Sequence, residues 1–147
     1  MELILWRHAE AEDGVPDLER ELTPKGVKQA EKVAAFLRQH LPKDTRILVS
    51  PSRRTRQTAA ALTEHFTLAP TIAPGASAQA VLQAARWPDA GDTALIVGHQ
   101  PTLGEIAAQL LGSSGSLSIK KGGLWWFSRR ERDGVTQLRL AIAPEFL

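Results

Sequence analysis

The sequence predicts a single α/β domain: a mostly parallel sheet flanked by helices on both faces, with an antiparallel hairpin at one edge. Three observations lead there. Short apolar runs alternate with amphipathic stretches from Glu2 to Leu111, the pattern of strands joined by crossover helices. Two further strand-like runs flank Asp133-Gly134, a dipeptide favoured in tight hairpin turns. The 147 residues suit one ordinary domain that buries about two-thirds of its unfolded surface, so the domain is expected to span 1–147.

Each element has its local reason. Glu2 to Trp6 is short and apolar and reads as a buried strand, whereas Ala9 to Arg20 is acidic, carries Gly14 and Pro16, and reads as a loop. Thr23-Pro24 opens a helix, with threonine as N-cap and proline at the first helical position. Val27, Ala30, Ala34 and Leu37 follow at helical spacing until Pro42, and that face is expected to pack on the sheet. Arg46 to Val49 is the second strand, and Ser50 to Phe66 a turn followed by a helix with Ala59, Leu62 and Phe66 on one face. An extended piece around Thr71 to Ala73 precedes a helix from about Ser77 to Ala85. Thr93 to Val97 is the fourth strand, Thr102 to Leu111 the fourth helix, and Leu124 to Arg130 and Val135 to Ile142 the hairpin. His40 and His65 fall near expected helix C-termini, where a cationic side chain suits the helix dipole, so both read as structural. Trp125 and Trp126 face opposite sides of their strand, one toward the core.

Composition excludes several classes. The chain is 43% hydrophobic and 23% charged, which favours a globular protein over a disordered or fibrous one. Cysteine is absent, which rules out disulfides, thiolate metal centres and every cysteine-nucleophile enzyme, the cysteine phosphatases included. The pI near 9.3 looks basic, yet Lys plus Arg number 18 against 16 Asp plus Glu. With no Tyr or Cys to titrate, so small an excess persists until lysine loses its charge near pH ~10, and no nucleic-acid partner is expected. MELILWRHAE lacks the longer apolar region of a secretory signal, and no segment approaches the roughly 20 apolar residues of a membrane span. A cytoplasmic protein with no membrane contact is expected.

Open α/β sheets bind ligands beyond the carboxyl ends of their strands. There, Arg7-His8 leaves the first strand, Ser50-Pro-Ser-Arg-Arg54 the second and Gly98-His99 the fourth. Guanidinium forks pair with phosphoryl oxygens, and a neutral imidazole nitrogen can attack phosphorus. The run His8, Glu10, Glu12, Asp13 could also suggest a metal site, but it is crowded onto a strand end and loop without helical histidine spacing, so no metal is expected.

Four segments in this order resemble the histidine phosphatase superfamily, also called phosphoglycerate mutase-like. Arg7-His8-Ala9 is similar to its opening Arg-His motif, and RELTPKG (Arg20 to Gly26) to its loop-to-helix signature. SPSRRTRQT (Ser50 to Thr58) matches the form S-P-x-x-R-A-x-Q-T, a register that selects Arg54 over its neighbours Arg53 and Arg56. VGHQPTLGEIAAQLLG supplies the fourth-strand histidine at His99. The matches span almost the whole chain, and the RHAEAE opening and small size look most like SixA-type phosphohistidine phosphatases. Two departures stand out: Ala9 replaces the usual Gly, which implies a backbone angle tolerable for a side chain, and Thr55 replaces the usual Ala.

The resemblance implies a phosphoglycerate mutase-like fold and a phosphatase. His8 would be the nucleophile, phosphorylated and then hydrolysed by water, with Arg7, Arg54 and His99 holding the phosphoryl oxygens. His8 must then offer one unprotonated nitrogen, so its other should donate to a backbone carbonyl or a carboxylate. Arg20 is a second phosphate-binding candidate, set against a surface ion pair with the acidic loop. The core would be metal-free and need no cofactor. A monomer is expected, acting on a phosphohistidine-bearing protein, for example a histidine phosphotransfer domain, or on another phosphoramidate such as phospholysine or phosphoarginine.

The segment from Phe66 to Pro88 bears on the substrate, because mutases and phosphomonoesterases of the superfamily place a carboxyl general acid after the third strand. It contains no Asp or Glu. An alkoxide leaving group needs a proton donor, whereas the imidazole of phosphohistidine leaves already protonated on its other nitrogen. The short chain also has little length for lids over small substrates. Two alternatives stay open: a general phosphomonoesterase, should Asp89 or Glu10 reach the pocket, and a phosphoprotein-binding module without turnover.

Overall fold

In the computed structural model, which describes residues 1–147, the first strand lies deep in the sheet because both its faces are apolar. Strand β1 (Glu2–Arg7) directs Leu3 and Leu5 into one layer and Ile4 and Trp6 into the other, all four fully buried, as the two-residue side-chain period requires. The same alternation recurs in β4 (Thr93–Gly98), with Ala94 and Ile96 on the first face and Leu95 and Val97 on the second. These strands pair in parallel, Glu2 opposite Thr93 and Arg7 opposite Gly98.

Around this pair lie β2 (Arg46–Val49), β3 (Thr67–Leu68), β5 (Leu124–Arg129) and β6 (Thr136–Ile142). The order is β3-β2-β4-β1-β5-β6. The first four strands are parallel, and β5 and β6 run antiparallel at the far edge. Helices α1 (Pro24–His40) and α2 (Arg53–Ala60) cover the face of Ile4 and Trp6, whereas α3 (Ala78–Ala85) and α4 (Thr102–Leu110) cover that of Leu3 and Leu5. This is the expected mostly parallel, two-faced α/β domain with an antiparallel edge. No helix is long and apolar enough to cross a membrane.

Local chemistry accounts for the element ends and for the departures from expectation. Thr23 caps α1 by accepting from the Gly26 amide, and Pro24 fills the first turn. Gly26, not Val27, takes the inward position, and Val27 is exposed. A Cβ on Gly26 would lie 2.0 Å from the Glu10 carbonyl oxygen, so only glycine lets the loop after β1 approach the helix this closely. Helix α2 stops at Ala60 instead of continuing to Phe66, because the chain tightens there: the Leu62 and Thr63 amides both bond the Ala59 carbonyl. Leu62 and Phe66 still pack against the core from the following loop. His65 is therefore exposed in that loop and not at a helix end, while His40 closes α1 beside Phe36. The third strand lies at Thr67–Leu68; Pro70–Ile72, where an extended piece is expected, is a 3-10 turn that buries Ile72. The hairpin loop runs from Arg130 to Val135, longer than a two-residue turn, with Gly134 at φ 67°. Trp126 is the buried tryptophan and Trp125 the half-buried one.

Candidate active site

The crossover from β1 runs through α1 on one face and that from β4 through α4 on the other, so the chain diverges at the carboxyl ends of these adjacent strands and leaves a crevice there. Arg7 and His8 enter it from β1, His99 from β4, and Arg54 from the first turn of α2. All four line one cavity of about 270 Å³, together with Arg20, Asp13 and Lys121.

His8 is pinned by its backbone. Its amide donates to the Gly98 carbonyl, its carbonyl accepts from the Gly122 amide, and the next amide, of Ala9, donates to Thr58 Oγ1, each at 3.0 Å. His8 is 9% exposed, and its Nδ1 lies 2.7 Å from the Ala9 carbonyl oxygen. A carbonyl can only accept, so Nδ1 carries the proton and the neutral ring keeps a lone pair on Nε2. Ala9 has no positive φ and is fully buried, so a methyl group fits where the family usually has glycine.

Arg54 is a buried cation and Arg7 a half-buried one. Arg7 Nη1 donates to the Ile119 carbonyl at 2.8 Å, and no carboxylate pairs with its guanidinium. Arg54 is 4% exposed; its Nη1 donates to the Asp17 carbonyl at 2.9 Å and its Nη2 to Asp17 Oδ2 at 3.2 Å. The Nε–H of each is sealed from solvent and has no partner, which costs about 1–3 kcal/mol per group. Burial pushes Arg7 below the ordinary arginine value.

His99 stands beside His8, ring centroids 5.3 Å apart. Burial, reinforced by the nearby Arg54 and Arg7 charges, pushes His8 down to about 4. Burial again, then His8, Arg54 and Arg7, takes His99 down to about 3 against the opposing charge of Asp17. Both rings are neutral at pH 7. The site therefore combines one nucleophilic nitrogen with fixed cationic donors, the equipment for attack on a phosphoryl group whose charge the arginines balance.

Arg20 pairs with the acidic loop and also reaches the cavity. Its Nε donates to the Glu12 carbonyl at 2.7 Å and its Nη1 to Asp17 Oδ1 at 3.2 Å, while the side chain also lines the cavity. Burial pulls the Asp17 carboxyl up, but hydrogen bonds from Arg20 and Arg54 and their charges outweigh it and hold it below its ordinary value. The carboxylates of the His8–Asp13 run diverge: Glu10 accepts from Thr23 Oγ1 at 2.8 Å, Asp13 is fully exposed at the cavity rim, and no three His, Asp or Glu side chains converge as a metal set. Asp89 follows α3, at the opposite end of the sheet.

Sequence reasoning overlooked several side chains that build the site. Thr58 and Gln57, whose Oε1 accepts from the Leu22 amide at 2.7 Å, belong to the second signature but carry no chemistry that singles them out. Asp17 is three residues before Arg20, a spacing that could have linked the two. Gln100 bonds the Gly104 amide through Oε1 and the Leu117 carbonyl through Nε2, fixing the start of α4. Lys121 reaches the rim from a glycine-flanked loop, for which no local pattern gives a location.

Comparison with known proteins agrees with this arrangement. Residues 3–77 match the model of the histidine phosphatase superfamily (branch 1). An uncharacterised protein of Picosynechococcus sp. is 40% identical over 136 residues, covering 84% of this chain and 82% of that protein. A phosphohistidine phosphatase SixA homologue of Haemophilus influenzae is 34% identical over 135 residues, covering 81% and 82%. The structure of the protein histidine phosphatase SixA complexed with tungstate superposes with a TM-score of 0.84 at 22% identity, covering 99% of each chain, and so shares the fold. With its opening half matched to the family model and more than four-fifths of its length aligned to each of these two relatives, the chain belongs to the histidine phosphatase superfamily, branch 1, as a phosphatase of the SixA type.

Proposed function

We propose that the protein removes the phosphoryl group from a phosphohistidine carried by another protein, through a covalent intermediate on His8. One observation carries this reading: the free Nε2 of a buried neutral imidazole shares a cavity with the Arg7 and Arg54 guanidinium groups, the first of which no carboxylate neutralises. A phosphoryl group bound there would accept from the guanidinium Nη–H groups and present phosphorus to the nitrogen.

The chemistry balances without a cofactor. His8 Nε2 attacks phosphorus, a P–Nε2 bond forms as the substrate P–N bond breaks, and the electron pair stays on the departing nitrogen. That imidazole already holds a proton on its other nitrogen and leaves neutral. Water then attacks the phosphorus, the P–Nε2 bond breaks with its pair returning to His8, and inorganic phosphate and a proton depart. Such transfers pass through loose transition states, so positioning and electrostatic stabilisation by Arg7, Arg54 and His99 carry the catalysis, with Arg20 supporting from the rim.

The walls of the cavity favour this leaving group. Pro74 and Gly75 line the side after β3, where no acid stands, and the one carboxyl lining the cavity, Asp13, is fully exposed at the rim. Glu10 is engaged with Thr23, and neither it nor Asp89 lines the cavity. At about 270 Å³ the cavity falls just below the 300–1,000 Å³ usual for pockets that enclose a small ligand, which suits a phosphorylated side chain presented by a protein.

The test compares turnover of a phosphohistidine protein with that of phosphoserine. Without a positioned general acid, worth about 10²–10⁴-fold for an alkoxide leaving group, the phosphohistidine protein should react at least about 100-fold faster. Equal or faster turnover of phosphoserine would favour the phosphomonoesterase alternative, and binding of the phosphoprotein with no turnover the module.

A further inference from the structure

His99 is held from behind by a serine that the reaction scheme leaves without a role. Ser50, at the end of β2, is fully buried, and its hydroxyl lies 2.7 Å from His99 Nε2. Its backbone is pinned on both sides: the Ser50 amide donates to the Val97 carbonyl at 3.1 Å, and Thr55 Oγ1 donates to the Ser50 carbonyl at 2.7 Å. Thr55, a departure from the usual family residue, thus fixes Ser50 in place.

The other ring nitrogen, Nδ1, lies 3.4 Å from Arg54 Nη2. A guanidinium only donates, so in this arrangement Nδ1 accepts and Nε2–H points to Ser50. A bound phosphoryl oxygen reverses the demand, because facing an acceptor Nδ1 must carry a proton. A second proton would make His99 an imidazolium, which burial and the facing His8, Arg54 and Arg7 oppose and which Asp17 and the bound phosphoryl group itself favour. Moving the single proton from Nε2 to Nδ1 avoids the charge, provided that the group behind Nε2 can both accept and donate. A hydroxyl can, by rotating its O–H, whereas a carbonyl or carboxylate would fix Nε2–H.

We propose that Ser50, held by Thr55, is a positioning residue that lets His99 switch to the neutral Nδ1–H form and donate to the bound phosphoryl group. This rests on the reading that the cavity binds phosphoryl oxygens, and the experiment separates the two.

Uniformly 15N-labelled protein at neutral pH, titrated with inorganic phosphate, reports both histidine rings by long-range 1H–15N correlation. The free protein should show protonated Nε2 and bare Nδ1 on His99. The phosphate-saturated protein should show the reverse, and Ser50→Ala should lose the reversal, with kcat down about tenfold or more and KM changed less. Phosphate-dependent shifts at His8 with His99 doubly protonated, or still protonated on Nε2, would overturn the role of Ser50 alone. Absence of any shift at either ring would overturn the phosphoryl site and the serine role together. The wild-type spectra decide the matter even if Ser50→Ala does not fold.

Discussion

Lowering the pH from 7 to 5 should leave the nucleophile in its reactive form. His8 is pushed down to about 4 by burial and by the Arg54, Arg7 and Arg20 charges, against the opposing hydrogen bond to Ala9. A histidine at the ordinary value of 6.5 would be only about 3% neutral at pH 5, whereas one at about 4 would be about 90% neutral, a difference of roughly thirtyfold in usable nucleophile. The assay is twofold: the ring resonances of His8 in the free protein followed against pH, and kcat/KM for a phosphohistidine protein corrected for its non-enzymatic loss in acid. Both should show the acid limb near pH 4. The same shift acts on stability. The folded rings stay neutral where the unfolded ones bind protons, so stability falls as pH drops from about 6.5 toward 4, by about 3 kcal/mol for His8 alone. An acid limb and ring titration near 6.5 would refute the reasoning, because they would mean a hydrated His8 that does not feel the neighbouring guanidinium groups.

Other perturbations have equally definite outcomes. Gly26→Ala places a Cβ 2.0 Å from the Glu10 carbonyl oxygen and should destabilise the protein by about 2–4 kcal/mol in urea unfolding, through overpacking and strain on the Thr23–Glu10 bonds. Arg54→Lys keeps the charge but loses the guanidinium fork, and should lower kcat by about 100-fold or more in steady-state assays. Inorganic phosphate at about 100 times its Kd should stabilise the wild type by about 2.7 kcal/mol, a rise in Tm of about 5–10 °C. Arg7→Ala should abolish most of that rise in the same thermal scan.

Much of the site was legible because its reacting groups sit where strands end, and strand ends are the best-marked points in an α/β sequence. The apolar runs before Arg7 and His99 and the turn after Val49 place those residues at the carboxyl edge without knowledge of strand order. Local signals were weaker where tertiary contacts decide. The short third strand pairs through only Thr67 and Leu68, both exposed, and leaves no periodicity to read. Helix α2 ends where its carbonyls are taken by Leu62 and Thr63, although the apolar spacing continues to Phe66. The choice of the reactive nitrogen on His8 depends on the Ala9 carbonyl facing Nδ1, a matter of backbone direction that residue types do not encode. Asp17 meets Arg54, and Lys121 reaches the cavity, from connections between the main elements for the same reason.

The phosphorylated enzyme itself is the decisive species. Wild type and His8→Ala are mixed with a protein labelled on phosphohistidine, quenched rapidly, and examined for label on the enzyme. Wild type alone should carry an acid-labile, alkali-stable label, mapping to His8 on Nε2, that decays to inorganic phosphate. Phosphate release that persists in His8→Ala, or turnover by wild type with no label ever on His8, would contradict the covalent mechanism.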